Sequence, residues 1–197
     1  MTIYAATSNA GKLREMLLAC SEVGVTGVDI RPLPGLRDLL APPEGGTTFE
    51  ENARLKAIYY SQYSDQAVLS EDSGLEVEAL VGAPGVFSAR YAGESTTDSE
   101  NNARLLAELK GISDRRARFV SVIALARQGR VLKVARGTVE GQILDAPRGN
   151  EGFGYDPLFF YPGFGCAFGE VPADRKFQVS HRGNALRLLF RNLDLAT

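Results

Sequence analysis

The chain has 197 residues, enough to bury a sizeable core, and its 22 Lys and Arg against 24 Asp and Glu give a formal net charge of −2. No long run of one sign occurs, so the footprint of a sequence-independent grip on nucleic acid is missing. Two distant cysteines, Cys20 and Cys166, and a single histidine make neither a disulfide framework nor a zinc site readable, and no apolar run reaches membrane-spanning length.

This length predicts one folding unit over residues 1–197 and this cysteine usage fits the cytoplasm; Met1 to Thr7 lacks the basic start and the length of a signal peptide and reads as a first strand. Ile3 to Ala6 is a short buried strand, Ser8-Asn9-Ala10-Gly11 is turn chemistry, and Lys12 to Cys20 has helical spacing. At such a junction backbone N–H groups and the helix dipole point at one place. Ser8, Asn9 and Lys12 add donors and a positive charge, a setting that suits a phosphate. It is no Walker A loop, because Leu13 follows the lysine where Ser or Thr should stand. The plainer alternative is that Asn9 caps the helix and Lys12 lies in water.

Gly27 to Leu33 predicts a second strand, and Pro32 to Gly46 a long loop with one isolated acid, Glu44, beside Gly45-Gly46. Thr48-Phe49-Glu50-Glu51 is a capping box that opens a helix running to about Tyr63, which commits Glu51 to the cap. Asn52 and Lys56 stand four residues apart on one helix face, able to reach a common ligand or, for the lysine, simply solvated.

In Val68-Leu69-Ser70-Glu71-Asp72-Ser73-Gly74-Leu75 two apolar residues run into two carboxylates and a Ser-Gly pair. This predicts a strand that ends by presenting acids to a crevice, where their oxygens suit Mg²⁺, or a polar exit with both acids in water. Gly82 to Gly93 reads as an ordered loop. Thr97-Asp98-Ser99-Glu100 is a second capping box, for a helix over Asn101 to Leu109. Arg118 to Ala126 is apolar on both alternating faces and predicts a central strand, turned by Gln128-Gly129 into a hairpin with Val131 to Val139.

Asp145 to Phe168 is dense in Gly, Pro and aromatic residues. Rings among glycines make a flat slot for a base, where stacking contributes about 1–3 kcal/mol, and Asp156 can accept from a ring N–H. Alternatively Phe153, Tyr155, Phe159 and Phe160 fill core. Ser180-His181-Arg182 opens the last helix, whose apolar stripe is Ala185, Leu186, Leu188, Leu189 and Leu193. The His-Arg pair does not have the pattern of core residues and reads as a donor cluster awaiting oxygens, or as solvated neighbours of a Ser180 cap. Alternating helices and strands that give way to a hairpin-rich second half predict a mixed α/β or α+β architecture.

Together these stretches resemble the inosine triphosphate pyrophosphatase family, enzymes that clear non-standard purine nucleotides. The resemblance rests on Thr7-Ser8-Asn9-Ala10-Gly11-Lys12, Thr48-Phe49-Glu50-Glu51-Asn52-Ala53, Glu71-Asp72-Ser73-Gly74-Leu75, Gly82-Ala83-Pro84-Gly85 with Ser88-Ala89-Arg90-Tyr91, Gly152-Phe153-Gly154-Tyr155-Asp156-Pro157 and Ser180-His181-Arg182, in family order over nearly the whole chain. It implies an elongated two-lobed α/β fold, a central mixed sheet flanked by helices with the site in the cleft between lobes, and a cytoplasmic homodimer. It further implies Mg²⁺-dependent hydrolysis of ITP, dITP and XTP to monophosphate and pyrophosphate, with no role for nucleic acid or membrane.

Carried over by position, Thr7, Ser8, Asn9, Ala10, Gly11 and Lys12 resemble the triphosphate cradle, and Lys56 and Lys176 further phosphate contacts. Asp72 resembles the base and a metal ligand, Glu44 and Glu71 its partners at the metal, and Ser73 a substrate contact. Phe153, Gly154, Tyr155 and Asp156 resemble the base-binding loop, and His181-Arg182 the reader of the purine's keto oxygen. Two positions depart from the family pattern: Ser8 stands where Gly is frequent, and Phe177 follows Lys176 where a small or polar residue is usual.

The residues' own chemistry agrees with this. Acids facing a triphosphate need a divalent cation between them and lysines to balance the remaining charge. A carboxylate then readies water for in-line attack at the α-phosphorus, with cations holding charge on the departing pyrophosphate. Donors that meet O6 select against adenine, whose N6 would set donor against donor. A nucleotide sensor without turnover is the second hypothesis, but a pure binder gains nothing from Glu71-Asp72 opposite phosphates.

Overall fold

In the computed structural model, residues 1–7, 9–22, 27–42 and 45–191 are described. Three strands pair in parallel: β1 (Thr2–Ala5) lies between β2 (Asp29–Pro32) and β3 (Ala67–Val77). Parallel neighbours need a crossover. α1 (Ala10–Glu22) supplies the first, and α2 (Phe49–Tyr60), opened by the Thr48–Glu51 capping box, supplies the second.

The register assigns the two faces of this sheet. Tyr4 pairs with Val68, and both gather with Leu33, Tyr59 and Tyr60, so this is the face that α2 covers. Strand alternation then sends Ile3, Ala5, Leu69 and Glu71 to the opposite face. α1 packs there against α5 (His181–Arg191).

Beyond β3, four more strands follow in chain order and complete a sheet of seven strands among the described residues. β4 (Arg116–Arg127) turns at Gln128 and Gly129, both with positive φ, into β5 (Arg130–Ile143), the conformation a two-residue hairpin requires. β6 (Phe159–Tyr161) extends the sheet antiparallel to β5, and β7 (Cys166–Ala167) pairs antiparallel with β6. On β5, a Cβ at Gly137 would collide with the backbone of His181 and Ala185, so the bare glycine lets α5 lie directly on the strand.

The chain divides into two compact units: residues 1–72, 121–137 and 181–197, and residues 73–120 and 138–180. The second carries α3 (Asp98–Glu108), opened by the Thr97–Glu100 capping box, the short α4 (Ala173–Phe177), and a core that includes Leu75, Leu105, Phe119, Tyr155, Phe159 and Phe168. Among the described residues no helix is long and apolar enough to cross a membrane.

The sequence reading needs two corrections here. β3 does not end at the acids: it continues through Glu71, Asp72, Ser73 and Gly74 to Val77. A small Ser-Gly pair is compatible with a strand where a neighbour approaches closely, and a Cβ on Gly74 would meet the Ser88 hydroxyl and the Gly85 carbonyl. His181 and Arg182 are buried rather than solvated, because the face opposite α2 surrounds the start of α5.

Candidate active site

Two clusters of functional side chains stand out, one in each unit. In the first unit both acids of β3 are buried, and alternation sends them to opposite faces. Asp72 faces α2. Its Oδ1 lies 2.7 Å from the Lys56 ammonium, and its Oδ2 accepts from the Asn52 amide at 3.3 Å. The i, i+4 pair therefore does converge on one group, a carboxylate of the protein itself.

Glu71 faces α1 and α5. Arg182 Nε donates to both its oxygens, Ser121 Oγ donates to Oε1 at 2.8 Å, and the Lys12 ammonium stands 3.4 Å from Oε2. The Arg182 Nη1 binds Glu15, so one buried guanidinium bridges two buried carboxylates. Burial alone would raise the Glu71 pKa, but Arg182, Lys12, the Ser121 hydroxyl and His181 outweigh it and hold the acid far below its ordinary range.

At the start of α1, Asn9 Oδ1 accepts from the Lys12 N–H at 3.1 Å, and Asn9 N–H donates to Thr7 Oγ1 at 3.2 Å. The helix-cap reading of Asn9 holds, whereas Lys12 is drawn to Glu71 rather than left in water. Thr7, Asn9 and Ala10 border a pocket of 500 Å³ that Leu13, Leu36 and Arg37 also line. Ser8 and Glu44 lie outside the described residues.

The second cluster joins the loop over residues 152–156 to α4. Asp156 and Lys176 form a buried ion pair at 2.7 Å, and the Asp156 carboxylate also accepts from the Phe153 N–H at 2.9 Å. The Lys176 ammonium lies 5.0 Å from the centre of the Phe153 ring. Phe153 is 42% exposed while Tyr155 is 4% exposed, so the aromatic run divides. Phe153 presents a ring, whereas Tyr155, whose hydroxyl donates to the Ser88 carbonyl at 2.8 Å, fills core. Ser73 is half-buried on β3.

Two carboxylates with hard oxygen donors are the right chemistry for Mg²⁺. Their oxygens already face cationic or amide partners on opposite faces of β3, so Asp72 would hold an ion only beside Lys56, and Glu71 would join it only by giving up contacts to Arg182, Lys12 or Ser121. Among the described residues no three His, Cys, Asp or Glu side chains converge as a ready-made metal cage. Sequence reasoning passed over Glu15, Ser121 and Ser88. Glu15 is one turn beyond Lys12 in a helix, and nothing local marks it as facing Arg182.

The sequence profile of the Ham1 family matches residues 3–192. A dITP/XTP pyrophosphatase of Acidobacterium capsulatum is 46% identical over 98% of both chains, and one of Thermus thermophilus is 45% identical over 96% of this chain and 90% of its own. Among solved structures, a HAM1 protein from Coxiella burnetii superposes with a TM-score of 0.87 at 37% identity, covering 96% of both chains.

Proposed function

Because the chain belongs to the Ham1 family, we propose that its acids, lysines and exposed ring serve the hydrolysis of dITP, ITP and XTP to monophosphate and pyrophosphate. The protein is a nucleoside triphosphate pyrophosphatase that acts on non-standard purine nucleotides. The observation that carries the mechanism is the gathering around β3, where Asp72 meets Lys56 at 2.7 Å and Glu71 meets Lys12 at 3.4 Å.

Asp72 is the base: its carboxylate accepts the proton of the attacking water, and Lys56 and Asn52 fix its orientation. The loop from Thr7 to Lys12 cradles the triphosphate at the N-terminus of α1, where helix dipole and ammonium both favour an anion. Lys12 and Lys56 balance charge on the departing pyrophosphate. On the family resemblance Asp72, Glu71 and Glu44 are assigned to Mg²⁺, which would polarise the phosphoryl oxygens and shield the acids from the triphosphate; because Glu71 leaves β3 on the opposite face from Asp72, it would reach such an ion only by giving up its contacts to Arg182 and Ser121.

In the second unit Phe153 stacks on the purine, with Gly154, Tyr155 and Asp156 shaping its support and Lys176 charging its edge. Ser73 is assigned a substrate contact and His181-Arg182 the purine's keto oxygen, both on the family resemblance. The ion pairs to Glu71 and Glu15 fix the guanidinium before any base arrives. An N6 amino group in place of the keto oxygen would set donor against donor, which disfavours adenine.

Strands β3, β4 and β5 each pass from one unit into the other, which supports treating residues 1–197 as one domain. The family resemblance supports a cytoplasmic homodimer that acts on free nucleotides and not on nucleic acid or membrane. The test is product identity. With Mg²⁺ and dITP, chromatography is expected to show dIMP and pyrophosphate, with dATP turned over far more slowly; dIDP and orthophosphate would overturn attack at the α-phosphorus.

A further inference from the structure

We propose that Asp98 and Asn102 of α3 are positioning residues for base selection, acting by gripping both backbone polar groups of Gly154 next to the exposed Phe153 ring. The proposal rests on the base-slot reading of Phe153. The Gly154 N–H donates to Asp98 Oδ2 at 2.6 Å, and the Gly154 carbonyl accepts from Asn102 Nδ2 at 3.0 Å. Residues four apart on a helix share a face, so one turn of α3 reaches both groups at once.

The cap of α3 leaves Asp98 available for this. Thr97 and Glu100 satisfy the helix start between them, with Thr97 Oγ1 accepting from the Glu100 N–H and the Glu100 carboxylate accepting from the Thr97 N–H. Asp98 is exposed, has no part in the capping box, and spends its carboxylate on a loop 56 residues away. Asn102 is buried below it.

The gripped residue is a glycine in the left-handed region. Gly154 has φ +63, and the space where its Cβ would stand is open, so its conformation and not crowding is what the grip secures. Other groups of the loop are tied as well. The Phe153 N–H goes to Asp156, and the Tyr155 hydroxyl to the Ser88 carbonyl. The backbone is thus fixed on both sides of Phe153 while its ring stands in the open.

A ring held in advance contributes stacking without an ordering cost at the moment of binding, equally in the ground and transition states. Loss of the grip therefore raises KM and leaves kcat near its starting value. It also blurs the angle at which the base meets its donors, which lowers discrimination.

The experiment uses the full chain with Mg²⁺ and compares dITP with dATP for Asp98→Ala, Asn102→Ala, Asp98→Asn, Phe153→Ala and the Asp98→Ala/Phe153→Ala double variant. Asp98→Ala and Asn102→Ala are expected to raise KM for dITP about 3- to 10-fold with kcat retained, and to lower the dITP/dATP ratio. Asp98→Asn keeps an acceptor for the Gly154 N–H and restores most of both. In the double variant the Asp98 effect vanishes, because the ring it positions is gone. If Phe153→Ala raises KM while Asp98→Ala and Asn102→Ala change only the melting temperature, or if the Asp98 and Phe153 effects simply add, the proposal falls and the base slot stands. If Phe153→Ala itself leaves KM and the ratio unchanged, the base-slot reading falls and takes the proposal with it.

Discussion

Arg182 gives its Nε to both carboxylate oxygens of Glu71, at 2.8 and 3.0 Å, across 111 residues of sequence. With Glu15 on Nη1, the guanidinium is the cation shared by two buried acids. Arg182→Met leaves both carboxylates buried without that charge, and breaking such an arrangement costs about 3–5 kcal/mol. Urea unfolding is expected to show a loss of this size. Arg182→Lys should fall between the two, since a lysine keeps the charge but not the fork.

The same contact sets an acid dependence. Glu71 has a lower pKa in the folded chain than its ordinary 4.5, so its ionised form stabilises the fold fully above that value, and the contribution fades as pH falls below it. Urea titrations on wild type and Glu71→Gln from neutral pH downward are expected to show a constant stability gap that narrows in acid. A gap that widens on acidification would contradict the sign.

Asp72→Asn preserves the shape of β3 and a partner for Lys56, but removes the proton acceptor. A positioned base contributes roughly 10²–10⁴ in rate, so kcat should fall at least into that range while calorimetry still detects dITP binding. Turnover close to wild type would move the base to another residue.

Lys12→Ala should raise KM for dITP and lower kcat, because a charge at a phosphate acts in both ground and transition states. Its helix keeps its Asn9 cap, so folding should survive. Unchanged kinetics with a lower melting temperature would instead make Lys12 only a structural partner of Glu71.

Local signals read well from the sequence. Both capping boxes form around Thr48 and Thr97, the Gln128-Gly129 hairpin turns where expected, and the pairing of Asn52 with Lys56 on one helix face reappears as two contacts to Asp72. Each depends on spacing within a few residues. The reading of His181-Arg182 as donors awaiting oxygens finds the carboxylates of Glu71 and Glu15 on Arg182, but the burial of the pair depends on those acids far away in the chain and has no local sign. Continuation of β3 past the acids was hidden for a related reason: Ser73-Gly74 carries a turn signature, and only the close approach of Ser88 explains a glycine in a strand there. The division between Phe153 and Tyr155 likewise follows from tertiary packing that a run of aromatic residues cannot express.

That Glu71 and Asp72 leave β3 on opposite sides has a consequence for how the gene can change. One codon inserted after Ser70 conserves every charge in the protein, yet it turns Glu71 towards α2 and carries Asp72 past it to the far side. Lys56 would then meet the longer acid, and Arg182 would face whatever residue the insertion supplied. A change of length by a single residue thus exchanges the acid that faces Lys56 for the acid that faces Arg182.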